Sequence, residues 1–127
     1  MRMISIFTTI LAIGSPSANA SDVRRSDLPK SVWGAWAPSP DACGGADKSK
    51  INISAKKHSS ENLACDIEWV TVTATPKGPN YSTRSRCIDQ TTKKQNPPTF
   101  FLVRPIDSNQ ILVGQTEAAL KTYQRCQ

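Results

Sequence analysis

Histidine is nearly absent from this sequence, and aromatic residues are few. His58 is the single histidine among 127 residues, so a catalytic or metal site that needs two imidazoles is excluded. Aromatic residues make up 6% and hydrophobic residues 38% of the chain, which predicts a small core within one domain. No transmembrane span is expected, because such a span needs about 20 consecutive apolar residues and the sequence has no apolar run of that length.

The sequence also lacks the motifs of common enzyme classes. It contains no G-x-S-x-G nucleophile elbow, no phosphate-binding loop and no H-E-x-x-H zinc motif. His58 lies in a polar, turn-like segment at residues 56–62, where we expect it to be solvated and not oriented by a carboxylate. Asp66 and Glu68 fall on one face of a predicted strand, where we expect them to face solvent. We therefore expect neither enzyme activity nor a cofactor.

The first 20 residues have the three parts of a secretory signal peptide. Arg2 supplies a positive charge, residues 4–13 are mostly apolar, and Ala18-Asn19-Ala20 matches the small-x-small cleavage pattern. We expect residues 1–20 to be removed and the protein to be exported to the periplasm or secreted. Residues 21–31 are polar and charged, which predicts a flexible segment ahead of a single domain at residues 32–127.

Export determines how the four cysteines are interpreted. In an oxidising compartment Cys43, Cys65, Cys87 and Cys126 are expected to form two disulfides. Successive cysteines are 22, 22 and 39 positions apart. Zinc sites usually bring two cysteines within about five positions, so no metal is expected.

Short alternating segments separated by turn residues predict an all-β fold. The last of these segments, near the C-terminus, favours a strand over a short helix. Six or seven strands favour a small antiparallel barrel or a highly twisted sheet, with a small β-sandwich as the alternative. Strands are predicted at residues 51–53, 64–75, 81–88, 99–104, 110–114 and 120–125, with a further apolar cluster at 32–36.

Strand parity favours one of the three possible disulfide pairings. Cys65 and Cys87 lie on the predicted inward faces of consecutive strands, so they can pair across a hairpin. Cys43 then pairs with Cys126. The inward face of residues 64–75 is predicted to carry Cys65, Ile67, Trp69 and Thr71.

The same register makes a prediction about charge. It sets Asp66 opposite Arg86 and Glu68 opposite Arg84, and each such pair contributes about 0.2–1 kcal/mol. A tighter turn would instead place Val70 opposite Arg86 without an ion pair. This second register shortens the loop and remains open.

Positive charge and two tryptophans supply the candidate partner-binding residues. The chain carries 16 Lys and Arg against 10 Asp and Glu, and this net charge of +6 favours acidic partners. Export and the core positions of most aromatics argue against nucleic acid. Two tryptophans three positions apart are predicted to face opposite sides of a strand, one closing a barrel end and one exposed. The candidates are Trp33, Trp36, Lys56, Lys57, Lys93 and Lys94.

Several of these residues form a layout that extends over the mature chain. After Ala18-x-Ala20 come Gly34-x-Trp36, Cys43, Cys65, Cys87 and a terminal Tyr123-Gln124-Arg125-Cys126. This layout resembles small periplasmic β proteins of Gram-negative bacteria. Several such groups inhibit hydrolases, among them lysozyme (peptidoglycan hydrolase) inhibitors and barrel-shaped metalloprotease inhibitors. The sequence lacks the Ser-Gly-x-x-Tyr loop of the C-type lysozyme inhibitors, so no site residue is transferred.

The resemblance implies a periplasmic protein that inhibits a peptidoglycan hydrolase. Animal lysozymes are basic, as this chain is, so a neutral or acidic bacterial wall enzyme fits better as the target. The alternative is a non-inhibitory envelope or virulence-associated factor that binds anionic lipid or glycan through lysine clusters.

Overall fold

The computed structural model describes residues 22–44 and 49–127, so the predicted signal peptide lies outside the described residues. Over the described ranges the chain forms nine strands and three short 3-10 helices. The helices are Lys30–Val32, Pro40–Cys43 and Glu117–Ala119. The strands are β1 (Asp22–Arg25), β2 (Gly34–Ala37), β3 (Ile51–Ile53), β4 (Lys57–Ser60), β5 (Leu63–Thr75), β6 (Gly78–Asp89), β7 (Thr99–Pro105), β8 (Gln110–Gly114) and β9 (Lys121–Arg125).

Eight of the nine strands close into an antiparallel barrel. Their order is β5-β4-β3-β2-β9-β8-β7-β6, and β6 pairs back with β5. β1 lies outside the barrel and pairs with β5 between Val70 and Thr73. The predicted all-β barrel is confirmed, although the described residues form nine strands where six or seven were predicted.

The connections between strands define two ends of the barrel. The lower end carries the turns at residues 54–56 and 106–109. The upper end carries the turn at residues 61–62, the β6–β7 loop at residues 90–98 and the β8–β9 connection at residues 115–120.

The segment predicted to be flexible, residues 21–31, belongs largely to the domain. Its residues 22–25 form β1, and Leu28 is 1% exposed within the core. The N–H of Leu28 donates to the carbonyl of Ala55 at 2.9 Å, and Val32, the last residue of a short helix, is fully buried. The prediction is corrected here, because the buried side chains at these positions are too widely spaced to produce a strand or helix pattern.

The turn-like interpretation of residues 56–62 was also wrong. β4 occupies Lys57–Ser60, and it pairs with β3 on one side and β5 on the other. Its residues have little β-propensity and no apolar alternation. Pairing with two neighbours, a tertiary effect, therefore determines its conformation.

Both predicted disulfides are present. Cys65 is directly opposite Cys87 across β5 and β6, and Cys43 is joined to Cys126. The alternative register is not formed, because Val70 lies opposite Thr83 and not opposite Arg86.

A β-bulge interrupts the predicted register between β5 and β6. Ile67 is paired below the disulfide as expected, but the next pair joins Trp69 to Arg84, which leaves Glu68 as an extra residue. The bulge reverses the alternation beyond it. Val70 therefore faces the core and is fully buried, whereas Trp69, predicted to point inward, lies on the outer face.

The predicted charge pairs are rearranged by this bulge. Glu68 contacts both neighbouring arginines, with 3.2 Å to Arg84 and a short contact to Arg86. Asp66 is opposite Arg86 in the ladder, as predicted, but its carboxylate lies 3.7 Å from the ammonium of Lys57.

Candidate functional site

The two candidate tryptophans close the lower end of the barrel. Trp36 is fully buried, its indole N–H donates to the carbonyl of Val32 at 2.9 Å, and the Arg125 guanidinium lies 4.2 Å from its ring centre. Trp33 packs against the core, and its indole N–H donates to the carbonyl of Leu28 at 2.9 Å. The prediction that Trp36 contacts a partner is corrected, because none of its surface is accessible.

Lys56 and Lys57 also lie on the side of the lower end, and both have acidic neighbours. The ammonium of Lys56 lies 3.7 Å from the Asp27 carboxylate, and that of Lys57 lies 3.7 Å from Asp66. Exposed pairs of this kind contribute little to stability, but they offset the charge offered to a partner.

Lys93 and Lys94, in contrast, lie in the upper β6–β7 loop, and that loop is held by its own hydrogen bonds. The backbone N–H groups of Thr92 and Thr91 donate to the Asp89 carboxylate at 3.0 and 2.8 Å. These donors hold the pKa of the Asp89 carboxyl below its usual value. The Lys93 N–H donates to the carbonyl of Asp89, the Asp89 N–H donates to the carbonyl of Lys94, and Lys93 has a left-handed φ of 60°.

The same loop is also hydrogen-bonded to β6 beside the disulfide and to the turn between β4 and β5. The Asn96 N–H donates to the carbonyl of Cys87 at 2.8 Å, and the Gln90 N–H donates to the carbonyl of Asn62 at 2.6 Å. Among the described residues, no carboxylate lies within ion-pair distance of Lys93 or Lys94. The loop therefore presents two uncompensated cations on an ordered backbone.

His58 was predicted to be a solvated turn residue, and the structure corrects this. It lies on β4 opposite the buried Cys65 and stacks on Phe101 with ring centres 4.4 Å apart. Its Nε2 lies 3.0 Å from the Ser85 hydroxyl. Burial lowers the pKa of His58 to about 4, so the imidazole is neutral at pH 7.

A chain of hydroxyl groups assigns the tautomer of His58. The Thr83 hydroxyl donates its one hydrogen to the carbonyl of Phe101 at 3.1 Å. Thr83 must then accept from the Ser85 hydroxyl, 3.2 Å away, so Ser85 accepts from Nε2–H of His58. Nδ1 is left as a hydrogen-bond acceptor.

A cavity of about 290 Å³ opens at the upper end beside His58. It lies between the ends of the strands that carry Cys65, Phe101, Val113 and Tyr123. Small cavities at the mouths of eight-stranded barrels are a common place for ligands. No motif in the sequence marks this one, because seven strands contribute to its lining.

His58 also lies beside the upper disulfide. Ligand atoms of His58, Cys65 and Cys87 all lie within 4.8 Å of one another. Metal binding by cysteine requires thiolates, and both sulfurs here are joined in a disulfide. In this oxidised state the cluster does not offer a thiolate site.

A larger hollow, about 640 Å³, lies at the lower end near the C-terminus. Its charged groups are already occupied: Asp107 accepts from the N–H of Asn109 at 2.8 Å, and the Arg125 guanidinium donates to three carbonyls. The upper cavity is smaller, but its lining includes His58 and the Cys65–Cys87 disulfide, so it is the stronger candidate for a ligand site.

The bulge creates a row of cationic and aromatic side chains on the outer face. The Arg24 and Arg84 guanidiniums lie 4.5 and 5.0 Å from the centre of the Trp69 ring. Phe100 is opposite Arg84 in the ladder and is 52% exposed. Sequence reasoning missed this row, because regular alternation placed Trp69 inside.

Comparison of the chain with protein-family models, curated proteins and solved structures finds no match. Within residues 22–44 and 49–127, no helix has the length and apolar character to cross a membrane.

Proposed function

We propose that this protein is exported to the periplasm and inhibits a peptidoglycan hydrolase of the lysozyme type, with the β6–β7 loop entering the substrate cleft. The observation that carries the proposal is the ordered backbone of this loop. A loop that is already held in one conformation loses little entropy on binding, which favours affinity. The two disulfides fit an oxidising compartment.

Charge supports a glycan-cleaving target. Such enzymes usually carry a pair of Asp or Glu side chains at the cleavage site. The uncompensated ammonium groups of Lys93 and Lys94 would complement those carboxylates. Removal of residues 1–20 takes Arg2 away and leaves a net charge of +5, which adds long-range attraction to a neutral or acidic wall enzyme and repulsion from a basic lysozyme. In this proposal the protein itself has no catalytic role.

The test is a wall-lysis assay with the oxidised protein and muramidases of acidic, neutral and basic charge. We expect inhibition of an acidic or neutral enzyme. The double variant Lys93→Gln/Lys94→Gln should raise the inhibition constant by about 30-fold or more, because two charged contacts in the cleft are lost.

The matched control is Lys56→Gln/Lys57→Gln, which removes the same charge on the side of the lower end. We expect it to inhibit as well as the wild type within about three-fold, since exposed, already paired lysines contribute little. Equal losses in both double variants would assign the effect to net charge and not to the loop. Unchanged lysis with every muramidase would overturn the inhibitor proposal.

The row of cationic and aromatic side chains on the outer face favours a second function, binding of anionic glycan or lipid in the envelope. Arg84 and Arg86 share one carboxylate, that of Glu68, and Arg24 lies over the Trp69 ring, so the row keeps net positive charge. Cation–π contacts with Trp69 hold two guanidiniums in place, and guanidiniums bind carboxylates and phosphates well. For this second function, the row takes the place of the lysine clusters as the candidate surface that binds glycan or lipid.

Retention on anionic liposomes and on acidic polysaccharide would test this second function. Retention should disappear at high salt and should fall in Arg24→Gln, while Lys77→Gln serves as a control for loss of one exposed charge. Equal retention of wild type and Arg24→Gln would count against the row.

A further inference from the structure

The upper cavity has one end that is apolar and aromatic. Phe101, Val113 and Tyr123 line it together with the Cys65–Cys87 disulfide. Its volume of about 290 Å³ would hold roughly ten water molecules at about 30 Å³ each. A body of one or two fused rings fits a space of this size, especially one that stays partly open at the mouth.

Lys121 supplies a positive charge at the mouth. It is opposite Val113 in the β8–β9 ladder, and Val113 is 6% exposed on the inner face, so Lys121 also starts on the inner face. Lys121 lines the cavity and is itself exposed to solvent. Among the described residues, Lys121 has no ion-pair partner and no Asp or Glu lines the cavity.

The other polar groups of the lining are neutral and have capacity for hydrogen bonds. Burial keeps His58 neutral at pH 7, and the hydroxyl chain places its hydrogen on Nε2, which leaves Nδ1 as an acceptor. Tyr123 also lines the cavity, and among the described residues no hydrogen bond involves its hydroxyl. The electrostatics of the cavity are therefore dominated by Lys121.

We propose that the upper cavity binds a small amphipathic anion, with its flat apolar body against Phe101 and Tyr123 and its carboxylate, sulfonate or phosphate at the ammonium of Lys121. Charge complementarity favours this occupant: a cation would be repelled by Lys121, and a neutral apolar molecule would gain no attraction from the solvent-exposed ammonium. The proposal goes beyond hydrolase inhibition and uses none of the β6–β7 loop lysines, so either proposal can fail without the other.

Naphthalene-2-carboxylate is a suitable probe, and naphthalene-2-carboxamide is an uncharged control with the same ring system. Calorimetric titration of the oxidised protein should show the carboxylate binding about ten-fold more tightly than the amide, because a charge-assisted hydrogen bond is added. Acetate, which lacks the apolar body, should not bind measurably. Chemical shifts of Val113 and Tyr123 should move during the titration, while those of the lower end should not.

Two variants separate the charge from the cavity. Lys121→Gln should abolish the ten-fold preference, and the matched control Lys77→Gln on the β5–β6 turn should keep it. Leu63→Trp should fill the mouth and weaken both probes. If Leu63→Trp does not fold, the chemical-shift changes of the wild-type protein still show where the probe binds.

Three results would overturn the proposal: equal affinity of the wild type for carboxylate and carboxamide, an equal loss in Lys77→Gln and Lys121→Gln, or shift changes outside the cavity. Inhibition of a muramidase is not measured in this experiment, so its outcome leaves the loop proposal untouched.

Discussion

The two ends of the barrel differ in how completely their polar groups are paired. At the lower end, the Arg125 guanidinium donates to the carbonyls of Ser108, Trp33 and Ser31 and lies over the buried ring of Trp36. At the upper end, a cavity separates the strand ends, and Lys121, which has no ion-pair partner within the described part of the chain, stands at its mouth. Groups that are already satisfied gain little from a partner, so ligand chemistry is expected at the upper end.

Glycine shows how tightly the lower end is built. Gly34 has a φ of +128°, which side chains rarely adopt, and a Cβ placed there would lie 2.8 Å from Nη1 of Arg125. The backbone and the guanidinium are thus packed against each other without room for a methyl group.

The largest expected effect comes from removing one disulfide at a time, since each end has its own. Cys43–Cys126 closes 83 residues and Cys65–Cys87 closes 22. The chain-entropy estimate gives losses of about 4.6 and about 3.4 kcal/mol when each pair is replaced by alanine. Urea unfolding should therefore show the larger loss for Cys43→Ala/Cys126→Ala.

Peptide mapping without reduction provides the control for this comparison. It should recover only the 43–126 and 65–87 linkages in the wild type. A peptide that links Cys43 to Cys65 would contradict the pairing. A larger loss for the upper pair would show that loop length does not govern the difference between the ends.

An intermediate effect is expected from pH, and it belongs to the upper end. The pKa of His58 is about 4 in the folded protein and about 6.5 in the unfolded chain, so between these values the unfolded chain binds the extra proton. The contribution of neutral His58 to the free energy of unfolding is then fully present above pH 6.5 and decreases as the pH is lowered. Between pH 7.5 and 5 the loss should be about 2 kcal/mol, at about 1.4 kcal/mol per pH unit below 6.5.

The variant His58→Phe isolates this contribution in the unfolding curves. Phenylalanine keeps a ring beside Phe101, and Ser85 can still donate to Thr83. Most of the slope of stability between pH 6.5 and 5 should disappear in the variant, because ordinary carboxyl groups stay mainly ionised over this range. An equal slope in both proteins would mean that the cavity wall does not exclude the charged imidazole.

Sequence reasoning recovered the elements that alternation or covalent chemistry determines. The long strand ending at Thr75, the hairpin of β7 and β8, and both disulfides followed from periodicity, turn residues and parity. Each of these depends on residues close in sequence or on a small number of possible pairings. The register near Cys65 was predictable for the same reason.

The candidate site was less predictable, because long-range contacts create it. One inserted residue, Glu68, moved Trp69 to the outside and Val70 to the inside. His58 became part of an inner wall because β3 and β5 draw its polar segment into the sheet. No local pattern in the sequence encodes a bulge, a strand built from Lys-His-Ser-Ser, or a cavity shared by seven strands.

The smallest effect on global stability is expected at the β6–β7 loop, where Asp89→Ala should change local order alone. The Asp89 carboxylate accepts from Thr92 and Thr91, so without it the amide exchange of these two residues should rise about ten-fold or more, while the urea midpoint stays unchanged. Asp89→Asn keeps an acceptor oxygen and should retain most of the protection. Faster exchange along β6 and β7 as well would show that the loop and the barrel open together, and the contrast between a packed lower end and a locally ordered upper end would then fail.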